Sequence, residues 1–277
     1  MIAKLKGENQ IRKFRQVADE LVSKIVILDK VVGIVFLGGL ARGFIDKFSD
    51  LDITVFLSEK DEHERTQIYN LGLATAKQHH VGIDLEVHFL DEFKKWKLGE
   101  ADKWYFASAN IVFDQKGEVK KMLEEKLKVS RNFWLKRLVV CSEYLKWYCC
   151  PFKEDEDCMA EAWIERGDLV TAHYCLNYAV DLLLKTIFAL NKEFLPAPKW
   201  RLFYSYKLKW LPKSYNRLII EALNVKDFSV ADFKRRLTAI RKIWSEIVPK
   251  IEQETGFNRE QLSKYYVEKF LHQTWIS

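Results

Sequence analysis

Two aspartates one residue apart, Asp50 and Asp52, sit in an apolar run that continues to Leu57. A strand has a period of two, so both acids project from one face while Leu51, Ile53 and Val55 project from the other. Neighbouring carboxylates repel unless a cation lies between them, and Mg²⁺, which prefers oxygen, is the simplest such partner. Upstream, the apolar run Gly33–Leu37 ends in Gly38-Gly39. Two glycines there would let backbone N–H groups approach an anion closely, as glycine-rich phosphate loops do. A third stretch, Val81–Leu90, places Asp84, Glu86 and His88 on one face and Ile83, Leu85, Val87 and Phe89 on the other. If the two acidic strands lie side by side, Asp50, Asp52 and either Asp84 or Glu86 form a three-carboxylate cluster. Such a cluster can hold two Mg²⁺ ions, one activating an attacking oxygen and one bridging a triphosphate. The chemistry implied is that of nucleotides.

Gly38-Gly39, then Asp50-x-Asp52, then a later acidic strand resembles the polymerase-β-type nucleotidyltransferase superfamily. The stretch GGLARG…SDLDITVFL is particularly similar to members that adenylylate small molecules, the aminoglycoside and lincosamide nucleotidyltransferases. The resemblance implies that Asp50 and Asp52 bind metal and that an acid on the later strand completes the site. Asp84 takes that role first, because it follows an apolar residue and opens the run toward Trp96; Glu86 is the alternative. Gly38, Gly39, Arg42 and Ser49 would bind the donor nucleotide. Many relatives have Gly-Ser where this chain has Gly38-Gly39, so a phosphate-binding hydroxyl is absent. The implied reaction moves a nucleoside monophosphate, AMP from ATP, to a hydroxyl of a small-molecule acceptor with release of pyrophosphate. Transfer onto RNA or protein is the alternative acceptor class, and a non-catalytic, antitoxin-like regulatory module is the alternative to an enzyme.

The elements that must position these residues follow from the pattern. Glu8–Leu28 reads as an amphipathic helix with Phe14, Val17, Leu21 and Ile25 on its apolar face. Leu40–Lys47 reads as a short helix whose N-terminus faces the donor phosphates. Arg42 on it is either a phosphate contact or a solvated surface charge. Lys60–His80 reads as a crossover helix, and its adjacent pair His79-His80 makes a poor metal site because neighbouring helical residues diverge. His88 either tunes the acids or is a hydrogen-bonded structural residue. Asp91–Leu98 reads as a helix, and Asn110–Phe113 as a short strand running into the turn Asp114–Gly117.

From Glu118 the pattern changes to helices: Val119–Cys150 as one or two, stopped by Pro151, then Met159–Asn191, Phe228–Glu254 and Arg259–His272, with a charged loop over Lys153–Asp157. The expected fold is α+β: a mixed α/β sheet domain over residues 1–117, followed by an all-α helical bundle over 118–277. The resemblance gives the bundle the acceptor. Glu161, Asp168 and Asp181 are acids that would attract a cationic acceptor, although helical acids are usually caps or solvated.

Composition sets bounds. The 277 residues give room for one large or two ordinary domains. With 48% hydrophobic and 30% charged residues, the chain reads as globular and water-soluble. Its net charge of +6 suits a polyanionic nucleotide and permits nucleic acid. No apolar run is as long as a membrane span and no signal peptide is seen, so a cytoplasmic location is expected. The five cysteines, without CxxC spacing, read as reduced and packed.

Overall fold

A computed structural model describes residues 5, 7–152 and 157–271. The charged loop expected over Lys153–Asp157 lies almost wholly outside the described residues, as does His272. The described chain divides into two compact units that meet in sequence between Lys128 and Val129.

In the first unit the elements run α1 (Ile11–Ile25), β1 (Val31–Phe36), α2 (Gly38–Arg42), β2 (Leu51–Leu57), α3 (Glu62–His79), β3 (Ile83–Phe89), α4 (Leu90–Lys95), α5 (Glu100–Ala107), β4 (Asn110–Asp114) and α6 (Glu118–Leu127). The strands form one sheet in the order β3-β2-β1-β4. β1 is antiparallel to β2 and β4, while β2 and β3 are parallel. A parallel pair needs a crossover, and α3 supplies it. Asp61 caps that helix, accepting from the Glu64 N–H at 2.9 Å, and His80 closes it in a left-handed conformation.

One sheet face is apolar throughout: Ile34 and Phe36 of β1, Leu51, Ile53, Val55 and Leu57 of β2, and Val87 and Phe89 of β3 pack with the buried stripe of α1 and with Ile68 of α3. Each large aliphatic or aromatic side chain buried this way contributes about 1.5–3 kcal/mol. The opposite face is apolar along only part of its length. There Val35, Leu37 and Phe56 meet Leu90 and Phe93 of α4, Phe106 of α5, and Val119, Met122 and Leu123 of α6. α6 lies so close to β1 that a Cβ on Gly33 would stand 2.4 Å from Val119 Cγ2. Thus α6, although it follows the turn at Gly117, shares the core of the first unit.

The second unit is helical: α7 (Arg131–Tyr148), α8 (Met159–Glu165), α9 (Leu169–Leu190), α10 (Pro198–Ser205), α11 (Tyr215–Leu223), α12 (Val230–Thr255) and α13 (Arg259–Lys269). The stretch from Glu118 to Cys150 is two helices, since Lys128 turns extended after α6. Met159–Asn191 is likewise two, parted at Gly167 with φ +81°. α9 is the core helix; fourteen of its residues are buried, which makes it apolar nearly all round. Arg236 of α12 is fully buried and donates to Ala222 O, His173 Nδ1 and Asn177 Oδ1. All five cysteines are buried and free, and burial raises the thiol pKa of each. Among the described residues no helix is long and apolar enough to cross a membrane.

Candidate active site

The parallel register of β2 and β3 sets Asp52 directly beside Asp84, and Thr54 beside Glu86. Partners in register share a face, so Asp52 and Asp84 stand together on the partly uncovered side of the sheet. Asp50 precedes β2 by one residue, next to the point where Leu51 N–H donates to Gly82 O at 2.9 Å. A Cβ on Gly82 would lie 3.1 Å from Asp50 Cβ, so this glycine lets Asp50 close over the start of β3. Gly82 was not singled out by the sequence pattern; an isolated glycine at a strand entry was its only signal.

Gly38 reaches the same corner from β1. Leu37 N–H donates to Asp52 O at 3.0 Å, carrying the β1–β2 pairing one residue past the strand. Gly38 then takes φ +49°, and a Cβ there would fall 1.7 Å from Asp52 Oδ2. No other residue type fits between that backbone and that carboxylate. Gly39 is required for a different reason: its Cβ would meet Phe44 O at 2.7 Å and Ile45 Cγ1 at 2.6 Å. The helix expected over Leu40–Lys47 is instead the five residues of α2, because Gly43 takes the left-handed conformation at φ +83° and ends it. The first N–H groups of α2 have no partner within the helix, and Gly38 sets the start of that helix against Asp52.

The two candidates for the third carboxylate differ in environment. Partial burial, followed by the charges of Glu86 and Asp50, raises the pKa of Asp84. Glu86 is shifted the other way: its hydrogen bond with His88 at 3.0 Å lowers its pKa against the effect of burial. His88 in turn packs among Phe56, Phe93 and Trp96. Glu86 is therefore engaged with a neighbour on its own strand, whereas Asp84 faces the other acids.

The remaining expected ligands of the donor lie differently. Arg42 stacks on Trp104 with its guanidinium carbon 3.5 Å from the ring centroid, and donates to Trp104 O at 3.0 Å. Trp104 is 62 residues further along the chain, and no local pattern announced the contact. The Ser49 hydroxyl closes a turn, accepting from Asp46 N–H at 3.1 Å and donating to Asp46 Oδ1 at 3.0 Å. In the helical unit, Asp168 caps α9, Asp181 pairs with Arg201 at 2.7 Å, and Glu161 pairs with Arg241 at 2.7 Å.

Among the described residues, no three His, Cys, Asp or Glu side chains gather tightly enough to hold a metal ion as they stand. The donor set nonetheless suits one: Asp50, Asp52 and Asp84 offer only hard carboxylate oxygens, the preference of Mg²⁺. The upward shift of Asp84, caused in part by like charges, is a cost that a cation would remove.

Residues 11–110, from the start of α1 to the start of β4, match the family model of the nucleotidyltransferase domain. This segment is similar to the nucleotidyltransferase domain of the polymerase-β-type superfamily. The match takes in every residue of the acidic corner and ends before the helical unit. A nucleotidyltransferase-like protein of Exiguobacterium sibiricum 255-15, known from a crystal structure, is similar at 9% identity and a TM-score of 0.41, over 86% of this chain and 77% of that one. No curated protein matches the chain. The matched segment thus spans the elements that carry Gly38, Asp50, Asp52 and Asp84.

Proposed function

We propose that the chain is a metal-dependent nucleotidyltransferase that moves AMP from ATP to a hydroxyl of a small-molecule acceptor. The observation that carries this reading is the register pair Asp52–Asp84 beside Gly38, inside the matched domain. Asp50 and Asp52 would hold Mg²⁺, which supplies charge neutralisation for the donor phosphates. Backbone N–H groups at Gly38 and Gly39 would receive those phosphates. The acceptor oxygen attacks the α-phosphorus, the bond to the bridging oxygen of pyrophosphate breaks, and the acceptor proton passes to Asp84. A carboxylate of raised pKa is the better base, and this favours Asp84 over Glu86. Most of the rate then comes from orientation and charge placement.

A second reading, transfer onto RNA, draws support from the charge distribution. Residues 1–128 carry 21 basic and 21 acidic side chains, whereas 129–277 carry 24 basic and 18 acidic. The deciding experiment offers α-labelled ATP and Mg²⁺ to the wild type and to Asp52→Asn, with aminoglycosides, lincosamides, tRNA and the protein itself as acceptors. Metal-dependent label on a small molecule, lost in the variant, is expected; label on tRNA alone selects the second reading. Donor binding without transfer to any acceptor would instead favour a regulatory module.

A further inference from the structure

The whole net charge of +6 falls in residues 129–277, and its densest segment is Lys234–Lys242 on α12, which reads KRRLTAIRK. Five cations in nine residues meet different fates. Arg236 is buried in the bundle. Arg241 turns to Glu161 and to Cys149 O at 2.8 Å. Arg235 braces α12 against α11, bonded to Asp232 at 2.7 Å and to Glu221 O at 2.9 Å. Lys234 and Lys242 are exposed, and neither ammonium has an ion pair among the described residues.

These two lysines bound an open groove of about 430 Å³ between α11 and α12. Its floor is small, Ala231, Thr238 and Ala239, and its far wall carries Arg217, paired with Glu221 at 2.9 Å. With Arg217 and Arg235 offset by Glu221 and Asp232, the groove keeps two uncompensated charges. Eight residues of helix separate them by about 12 Å. Small-molecule sites are enclosed and mostly apolar; this groove is open, polar and free of aromatic side chains. Such a surface contacts a backbone of repeated phosphates and leaves bases unread.

We infer that the groove between α11 and α12 binds nucleic acid along its phosphate backbone, with Lys234 and Lys242 as the two contacts. The inference does not rest on nucleotidyl transfer, because binding is measured without ATP or Mg²⁺. Fluorescence anisotropy of labelled 20-mer RNA and DNA single strands is followed on the full chain across salt concentrations. For the wild type, binding that weakens with salt is expected. In Lys234→Ala/Lys242→Ala the plot of log affinity against log salt should flatten by about 1.4, roughly 0.7 per lost phosphate contact. Affinity near 50 mM salt should fall about tenfold or more. Lys234→Arg/Lys242→Arg should restore binding, and an unchanged circular dichroism spectrum of the alanine variant shows that the fold survives. Binding of RNA, of DNA or of both that is lost in the alanine variant supports the groove. Absence of binding at low salt, a double alanine variant that binds as the wild type does, or equal affinity for polyglutamate would overturn it.

Discussion

Partial burial and the neighbouring charges of Glu86 and Asp50 make the native state hold the Asp84 proton more tightly than the unfolded chain does. Between the ordinary carboxylate pKa and that raised value, the folded protein binds more protons than the unfolded one. Stability therefore falls as pH rises through this window, and the cost persists at neutral pH. Asp84→Asn removes the ionisable group at almost constant shape. In the absence of metal at pH 7.5 the variant is expected to melt above the wild type, while Mg²⁺ raises the melting temperature of the wild type by more than that of the variant, in which Asp50 and Asp52 remain but the repulsion on Asp84 is gone. A variant that melts lower would show that the acids are not in tension. Gly38 gives a second prediction at this scale. A methyl group there would occupy the position of Asp52 Oδ2 and force a left-handed alanine. Gly38→Ala should cut transfer at least 100-fold, a loss of about 3 kcal/mol of transition-state stabilisation, with the far-UV spectrum preserved. Strand periodicity offered Asp50 and Asp52 as companions, but only Asp52 lies within β2, and Asp50 stands one residue before it. Which acid of β3 stands beside Asp52 was not legible, since it depends on the register that α3 imposes between two strands.

At the scale of elements, the acidic corner depends on how α3 seats on β3. Gly72 of α3 approaches Leu85 so closely that a Cβ would stand 2.7 Å from Leu85 Cδ2. Leu85 is the register partner of Ile53, and its neighbour on the strand is Asp84. Gly72→Ala therefore overpacks the helix against the strand that carries the third acid. Overpacking costs about 1–3 kcal/mol, less the roughly 1 kcal/mol that alanine gains over glycine within a helix. Chemical denaturation should show a net loss of at most about 2 kcal/mol, with a disproportionate fall in transfer because Asp84 moves with its strand. Equal stability and activity in the variant would mean that Leu85 yields without moving β3. Long periodic elements such as α1, α3, α9 and α12 were legible in the sequence because many positions report one period. The short α10 and α11 were not, because eight or nine residues give too few repeats; α2 was expected but with other bounds, since it ends where Gly43 adopts a conformation that spacing does not reveal.

At the scale of the whole molecule, each compact unit encloses its own apolar core. The first unit's clusters run from Ile11 to Leu127, and the second unit's from Val129 to Leu271. The change of pattern at Glu118 was visible in the sequence, but helix α6 shows that a change of secondary-structure pattern and an end of packing are separate events. Val119, Met122 and Leu123 are each less than 5% exposed and fill the sheet face beside Val35 and Phe56. Ending the chain at Gly117 would remove all three, forfeiting at least about 4 kcal/mol of burial. That loss is comparable with the entire stability of a small domain. Chains ending at Lys128 and at Gly117 are therefore expected to differ sharply. The longer should unfold cooperatively in urea and bind ATP in the presence of Mg²⁺; the shorter should show no cooperative transition and no binding. A cooperative transition in the shorter chain would mean that α4 and α5 alone cover the sheet, and the nucleotide-binding unit would then end at the turn after β4.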